Sequence, residues 1–210
     1  MADLFAIEGD ARAEGYSLIA GVDEVGRGCV AGPVYAGAVV FEGPLTLPGL
    51  DDSKALLPEV REALANRIRG AATSAAVGEA TAAEIDALGI VAATFLAMRR
   101  ALDLVRASGS PPSLVLVDAF RIPGQGVPQR AYIRGDQRVA AIAAASIVAK
   151  VARDARMNEL DLRFPVYGFG SHRGYATPEH LSALRRHGPC PEHRLTFDRV
   201  VVRRSAAKAA

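Results

Sequence analysis

The sequence predicts an α/β fold, with a mixed β-sheet flanked by helices and a small C-terminal helical lobe. Two apolar segments of strand length lie early in the chain, at 17–22 and 34–41, with glycines between them. Further short apolar segments then alternate with segments of helical spacing, which is typical of a sheet with helices on its faces. An alanine-rich stretch at 138–162 has high helix propensity and contains neither glycine nor proline.

Each element rests on a local pattern. Segment 113–117 is apolar throughout, as in a strand buried on both faces. Pro58 suits the first turn of a helix, and Gly89 would interrupt the long helical pattern around it. Strands are therefore predicted at 17–22, 34–41, 74–80, 113–117 and 130–134, and helices at 58–70, 82–107, 138–162 and 178–187. We expect an N-terminal extension (1–16), a main catalytic domain (17–164) and a C-terminal helical segment with a basic tail packed on it (165–210).

Composition narrows the class of protein. Half of the 210 residues are apolar, yet charged residues interrupt the apolar runs before the roughly 18 residues that a membrane span needs. The N-terminus is acidic and lacks the basic and apolar pattern of a signal peptide, so we expect a cytoplasmic protein with no membrane partner. Cys29 and Cys190 are far apart in the chain and predict small, half-buried side chains rather than a disulfide.

The net charge of +2 conceals an asymmetry between the two parts of the chain. Residues 1–120 carry 9 Lys and Arg against 16 Asp and Glu, whereas residues 121–210 carry 16 against 7. A basic half is typical of proteins that bind nucleic acid, but a solvated basic face explains it equally well.

Four acids stand where a predicted strand ends or a helix begins: Asp23, Glu24, Asp118 and Asp136. Side chains at the ends of neighbouring strands converge, and clustered carboxylates repel one another unless a cation neutralises them. Oxygen ligands without Cys or His spacing favour Mg²⁺ or Mn²⁺. Two alternatives stay open, because Asp118 could begin a turn and Asp136 could cap the long helix. Consecutive strand residues face opposite sides, so Asp23 and Glu24 share one site only if the chain bends there or a backbone carbonyl contributes.

The stretch between the first two strands, GRGCVAG, has glycines at 26, 28 and 32. This spacing is neither a dinucleotide fingerprint nor a Walker A loop. Two interpretations remain: a tight turn, or a backbone surface that contacts a sugar or phosphate with help from Arg27.

Several motifs together resemble bacterial ribonuclease HII. They occur in the family's order over roughly residues 17–200, as GVDEVGRGCVAGPV, DDSKALL, LVDAF, RGD followed by IAAASIVAKVARD, and FPVYGFGSHRGYATPEH. The resemblance implies a ribonuclease H-like fold and a monomer that binds RNA–DNA hybrids and duplex DNA containing ribonucleotides. It also implies an endonuclease that cuts 5′ of a ribonucleotide, with two Mn²⁺ or Mg²⁺ ions, leaving 3′-OH and 5′-phosphate ends.

The resemblance also implies roles for individual residues. The metal-binding catalytic set would be Asp23, Glu24, Asp118 and Asp136. The substrate-binding set would be Gly26, Arg27, Gly28, Lys54, Arg134, Ser146, Lys150, His172, Arg173 and Tyr175. Within it, Gly26–Gly28 would contact the 2′-OH and Tyr175 the sugar on its 3′ side.

This sequence departs from the family pattern at three positions. Arg134 and Arg173 stand where lysine is usual, and Ala119 stands where glycine is usual. None of the four acids is affected, so the departures bear on substrate contacts rather than on chemistry. Two rival functions remain at this stage: a DNA nuclease of the same broad fold, and a non-catalytic nucleic-acid-binding module with a structural metal.

Overall fold

A five-stranded mixed sheet forms the centre of the computed structural model, which describes residues 4–43, 47–50 and 57–200. The strands are β1 (Leu18–Val25), β2 (Val34–Glu42), β3 (Ser74–Ala80), β4 (Leu114–Asp118) and β5 (Gln129–Tyr132). Their order across the sheet is β3-β2-β1-β4-β5. The pairs β1–β2 and β2–β3 are antiparallel, whereas β1–β4 and β4–β5 are parallel. The predicted fold class is confirmed.

Helices cover both faces of this sheet. They are α1 (Ala6–Ala13), α2 (Pro58–Ala71), α3 (Ala82–Leu88), α4 (Ile90–Ala107), α5 (Ala140–Arg163), α6 (Phe169–His172) and α7 (Pro178–His187). One face packs its apolar side chains against α4, and the other against α2 and α5. Gly89, with φ of 78°, separates α3 from α4 as the sequence predicted. Among the described residues, no helix has the combined length and apolarity that crossing a membrane requires.

Strand β5 ends at Tyr132, before the predicted 134, and the short helix α6 was not predicted. Two further differences bear on the position of the site. The N-terminal extension contains a helix, α1, whose Glu8 accepts a 2.7 Å hydrogen bond from the backbone N–H of Ala141 at the start of α5. Strand β1 does not end at Val22 but continues to Val25, because its pairing with β2 runs on to Tyr35. The adjacent acids therefore lie within a strand and not in a turn.

Helix α5 lies unusually close to the sheet. A Cβ atom added at Gly21 of β1 would lie 2.0 Å from the backbone of Ala141, and one at Gly37 of β2 would lie 2.2 Å from the carbonyl oxygen of Ala145. Only glycine on the strands and small residues on the helix allow this approach. The contact fixes α5 across β1 and β2 and brings its middle turns next to the carboxyl end of β1.

Ala119, directly after β4, has a strained backbone. Its φ of 58° lies in the left-handed region, as do those of Arg134 and Arg173, the other two departures from the family pattern. A Cβ atom makes this conformation costly, by roughly 1–2 kcal/mol. Glycine, which the family pattern carries at position 119, would adopt it without this cost.

We therefore expect Ala119→Gly to stabilise the protein by about 0.5–1 kcal/mol, because relief of the strain outweighs the greater chain entropy of glycine in the unfolded state. Chemical denaturation measures the change. The matched control is Ala63→Gly at an exposed position of α2, where the same substitution should destabilise by about 1 kcal/mol. Destabilisation by Ala119→Gly would contradict the assignment of strain.

Candidate active site

Three of the four predicted acids form a compact cluster. Carboxylate oxygens of Asp23, Glu24 and Asp118 all lie within 4.8 Å of one another. Asp118 is the last residue of β4, and its Oδ1 accepts a 2.6 Å hydrogen bond from the backbone N–H of Gly135. The cluster supplies oxygen atoms alone, a donor set that fits a hard divalent cation.

Asp23 and Glu24 reach the same cluster although they are neighbours in a strand. They follow Val22, where the pairing of β1 with β4 stops, so no strand covers that edge of β1 beyond this point. Asp23 lies on the face covered by α5, like Gly21, and Glu24 lies on the opposite face. Both carboxylates extend around the open edge toward Asp118. No bend in the chain is needed, contrary to the condition inferred from the sequence.

Asp136 lines the same cavity as the other three acids, and the volume of this cavity is about 340 Å³. It lies in a short 3-10 turn, Gly135–Gln137, that precedes α5, and its side chain is largely buried. The alternative that Asp136 caps α5 is wrong, because Val139 holds that position. Ser146, Lys150 and Tyr175 line the same cavity, as do Val25, Ile147 and Arg61.

The cluster is electrostatically unfavourable in the absence of a cation. Burial, followed by the charge of Glu24, raises the pKa of Asp23 to about 8, although a hydrogen bond from Ser146 partly opposes the shift. Burial also raises the pKa of Glu24, and a 3.2 Å hydrogen bond from Arg27 Nη1 partly opposes that shift. Carboxyl groups with raised pKa values are expected where a cation normally supplies the missing charge.

The glycine-rich segment, residues 26–33, packs against the loop that carries Tyr175. The backbone N–H of Val30 donates a 2.9 Å hydrogen bond to the carbonyl of Gly174. Tyr175 is about half exposed, and its hydroxyl contacts the buried thiol of Cys29. The two segments that the resemblance assigns to the substrate sugar thus form one surface beside the acids.

Two buried arginines hold the glycine-rich segment through its backbone carbonyls. Arg194 donates to the carbonyl oxygens of Gly26, Arg27 and Gly32 at 2.7–3.0 Å. Arg153 of α5 donates to those of Ala31 and Pro33. Neither arginine was predicted, because the contacts of Arg194 span more than 160 residues and no local pattern indicates them.

Three histidines pack together behind Tyr175. His180 Nδ1 is 2.8 Å from the carbonyl oxygen of Tyr175, and its Nε2 is 3.0 Å from Nε2 of His193. Burial lowers the pKa of both imidazoles to about 4, so both are neutral at pH 7. Both ring nitrogens of His172 are engaged by the backbone, at Tyr167 and Gly174. No local pattern in the sequence indicates this arrangement.

The structure brings most predicted site residues to one place. Asp23, Glu24, Asp118, Asp136, Ser146, Lys150 and Tyr175 line the cavity, and Arg27 bonds to Glu24 from its edge. The predicted residues in the described part of the chain that do not line it are Gly26, Arg27, Gly28, Arg134, His172 and Arg173. Lys54 lies outside the described residues. Arg61 was not predicted, since a charged residue on an amphipathic helix is normally a solvated one.

Comparisons with known proteins agree with this geometry. The family model described as "Ribonuclease HII" matches residues 20–200. The ribonuclease HII of Geobacillus kaustophilus (strain HTA426) is 50% identical over 195 residues, which cover 93% of this chain and 74% of that protein. The ribonuclease HII of Polaromonas sp. (strain JS666) is 52% identical over 180 residues, which cover 86% of this chain and 89% of that protein.

Solved structures share the fold. The ribonuclease H2 of Pyrococcus horikoshii OT3 superposes with a TM-score of 0.67 at 26% identity, over 87% of this chain and 95% of that one. The ribonuclease HII in the PCNA complex from Archaeoglobus fulgidus superposes with a TM-score of 0.72 at 27% identity, over 86% of this chain and 95% of that one.

We expect Asp23→Asn to raise the melting temperature of the metal-free protein, because it removes a buried charge from a repelling cluster. A raised pKa means that ionisation of Asp23 destabilises the fold as the pH rises from about 4 toward 8. The melting temperature of the variant should therefore exceed that of the parent most at pH 9, by about 3 °C for each 1 kcal/mol of relieved repulsion.

Thermal unfolding in a chelator at pH 5 and pH 9 measures this difference. The control is Asp10→Asn at an exposed position of α1, which should change the melting temperature little at either pH. A melting temperature of Asp23→Asn equal to or below that of the parent at pH 9 would show that the cluster is not under repulsion.

Proposed function

The chain belongs to the ribonuclease HII family of metal-dependent endoribonucleases, which act on RNA in RNA–DNA hybrids, and we propose that it incises duplex DNA on the 5′ side of single embedded ribonucleotides. The products are a 3′-OH and a 5′-phosphate, and the biological role is removal of ribonucleotides from DNA. The observation that carries the proposal is the convergence of Asp23, Glu24, Asp118 and Asp136 on the cavity that Tyr175 also lines.

The four acids hold two Mg²⁺ or Mn²⁺ ions in this proposal. Their oxygen-only donor set and the raised pKa of Asp23 fit divalent cations, which supply positive charge for the scissile phosphate and a more acidic water. The chain itself positions the ligands. Ser146 orients Asp23, Arg27 orients Glu24, and the N–H of Gly135 orients Asp118. The carboxylates act as ligands and form no covalent bond with the substrate.

Selection of a ribonucleotide rests on the glycine-rich segment and Tyr175. Backbone groups of Gly26, Arg27 and Gly28 contact the 2′-OH, the group by which a protein distinguishes RNA from DNA. The ring of Tyr175 packs against the sugar on the 3′ side. Arg194 supports this role because its buried guanidinium holds the carbonyls of Gly26 and Arg27 through hydrogen bonds of 2.7–2.9 Å.

The remaining predicted contacts involve the phosphate backbone. Lys150 lines the cavity beside the acids, and we assign it to a phosphate. Lys54, Arg134 and Arg173 are proposed to contact phosphates farther along the duplex. His172 is better assigned to support of the loop before Tyr175, since both of its ring nitrogens bind backbone groups.

The first test is cleavage of end-labelled duplex DNA that contains one ribonucleotide, with Mg²⁺ or Mn²⁺, and with the cut mapped to one nucleotide. We expect a single cut on the 5′ side and no cut in the all-DNA duplex. Asp118→Asn should abolish cleavage while duplex binding persists. Equal cleavage of all-DNA would instead favour a DNA nuclease, and full activity of Asp118→Asn would exclude Asp118 from metal binding.

Tyr175 supports a second prediction about substrate choice. Tyr175→Ala should lower the cleavage rate at a lone ribonucleotide by about 10-fold or more, which corresponds to the 1–3 kcal/mol of a lost aromatic packing contact. Tyr175→Phe keeps the ring and loses only the contact with Cys29, so it should retain most of the rate. Single-turnover kinetics measures both, and an unchanged rate for Tyr175→Ala would remove the ring from substrate contact.

A further inference from the structure

A second cavity, of about 560 Å³, opens beside the acids on the face of the sheet that α4 covers. It lies between residues 91–98 of α4 and residues 119–121, which follow β4, and we call it the α4 groove. Glu24 and Asp118 line both the α4 groove and the cavity described above. The two cavities therefore meet at these carboxylates.

One wall of the α4 groove is an apolar side of α4. Val91, Phe95 and Met98 follow one another at spacings of four and three residues, so they lie on the same side of the helix. Met98 is buried, whereas Val91 is 55% exposed. The wall thus offers apolar surface that the protein itself does not cover.

Phe120 forms the opposite wall and is 65% exposed. The backbone around it is held on both sides. The N–H of Phe120 donates a 2.7 Å hydrogen bond to the carbonyl of Asp118, and Gln129 of β5 bonds both backbone groups of the buried Ile122 at 2.8 and 2.9 Å. Exposed apolar side chains that face each other across a groove are typical of a ligand-binding surface.

Two arginines, Arg27 and Arg121, also line the α4 groove. Arg27 is paired with Glu24 at 3.2 Å, whereas Arg121 is exposed to solvent. A guanidinium binds phosphate oxygens through its fork of donors. The α4 groove therefore combines apolar surface for a sugar ring with a cation for a phosphate.

An occupant of the α4 groove has to be compatible with substrate at the acids, because Glu24 and Asp118 belong to both cavities. A protein segment in the groove would cover these carboxylates, whereas a part of the substrate strand would not compete with the rest of that strand. In the proposed function, the 3′ side of the cut strand lies against Tyr175, which lines the first cavity and not the groove. The 5′ side of the strand is then the part that remains to enter the groove.

We propose that the α4 groove binds the nucleotide on the 5′ side of the cut, which leaves with the new 3′-OH. Its sugar packs against Phe120 and Val91, and its 5′ phosphate contacts Arg121. This inference rests on the proposed function and adds these three residues to the substrate surface. Together with Tyr175, Phe120 gives the site one aromatic ring for each side of the bond that is cut.

The test compares single-turnover cleavage of two duplexes that each contain one ribonucleotide. In the first, the 5′ neighbour of the ribonucleotide is an ordinary deoxynucleotide. In the second, this neighbour is a three-carbon spacer, which keeps the leaving oxygen but lacks the sugar ring and the base. Phe120→Ala should lower the rate on the first duplex by about 10-fold, the size of a lost aromatic contact, and should cost no further rate on the second. Phe120→Tyr keeps the ring and should restore most of the rate.

The matched control is Leu162→Ala, because Leu162 is 86% exposed on α5 and does not line the α4 groove. It should leave the rates on both duplexes unchanged. An equal loss by Phe120→Ala on the two duplexes would indicate a structural role of the ring and would overturn the proposal. An unchanged rate on the first duplex would also overturn it, and would leave a protein partner as the occupant of the groove.

Arg121→Gln tests the phosphate contact through the salt dependence of binding, measured in a chelator so that no cleavage occurs. Loss of one phosphate contact should reduce the slope of log K against log salt by about 0.9. The reduction should disappear on a duplex whose cut strand begins at the 5′ neighbour with a 5′-hydroxyl, and should return when that strand carries a 5′-phosphate. A slope equal to that of the parent on the full duplex would remove Arg121 from the proposal.

Binding of the first two duplexes in a chelator separates this inference from the proposed function, because binding needs no cleavage. Phe120→Ala should weaken binding to the duplex with the ordinary neighbour and not to the duplex with the spacer. The proposed function fails if the parent does not cut 5′ of the ribonucleotide. If the parent cuts there and Phe120→Ala matches the parent in rate and in binding, this inference alone fails.

Discussion

The close approach of α5 to the sheet is the constraint on which the active site depends. Backbone atoms of α5 lie where side chains on β1 and β2 would otherwise stand, at Gly21 and Gly37. This single packing contact places Ser146 beside Asp23, places Lys150 at the cavity, and directs Arg153 toward the glycine-rich segment. A larger residue at either glycine would displace the helix and with it every one of these contacts.

Several features of the active site lower the stability of the protein without ligands. Three carboxylates within 4.8 Å, one buried and two half-buried, and a left-handed alanine directly after Asp118 both cost free energy in the protein without ligands. The surrounding structure offsets these costs with buried groups that are well bonded. Arg194 donates to three carbonyls, and the neutral pair of His180 and His193 fixes the loop of Tyr175. In the proposed function, divalent ions supply the positive charge that this cluster of acids lacks.

Local patterns in the sequence predicted the sheet, most helices and the four acids, because an acid that follows an apolar strand is conspicuous. The extension of β1 to Val25 was not predictable from the sequence. The two acids, Asp23 and Glu24, suggest that the strand ends at Val22, but the pairing of β1 with β2 continues past that residue. Arg61, Arg153 and Arg194 were also missed. Their roles arise from contacts between segments distant in the chain, and each looks like an ordinary surface cation in its own segment.

The central claim is that Asp23, Glu24 and Asp118, with Asp136 beside them, form a binding site for divalent cations. Anomalous diffraction from crystals soaked in Mn²⁺ tests it directly, because the signal locates the metal without reference to activity. The account predicts a peak in contact with carboxylate oxygens of Asp23, Glu24 and Asp118, which is lost in Asp118→Asn. A Mn²⁺ peak bound elsewhere, or no peak at these carboxylates at saturating metal, would contradict it.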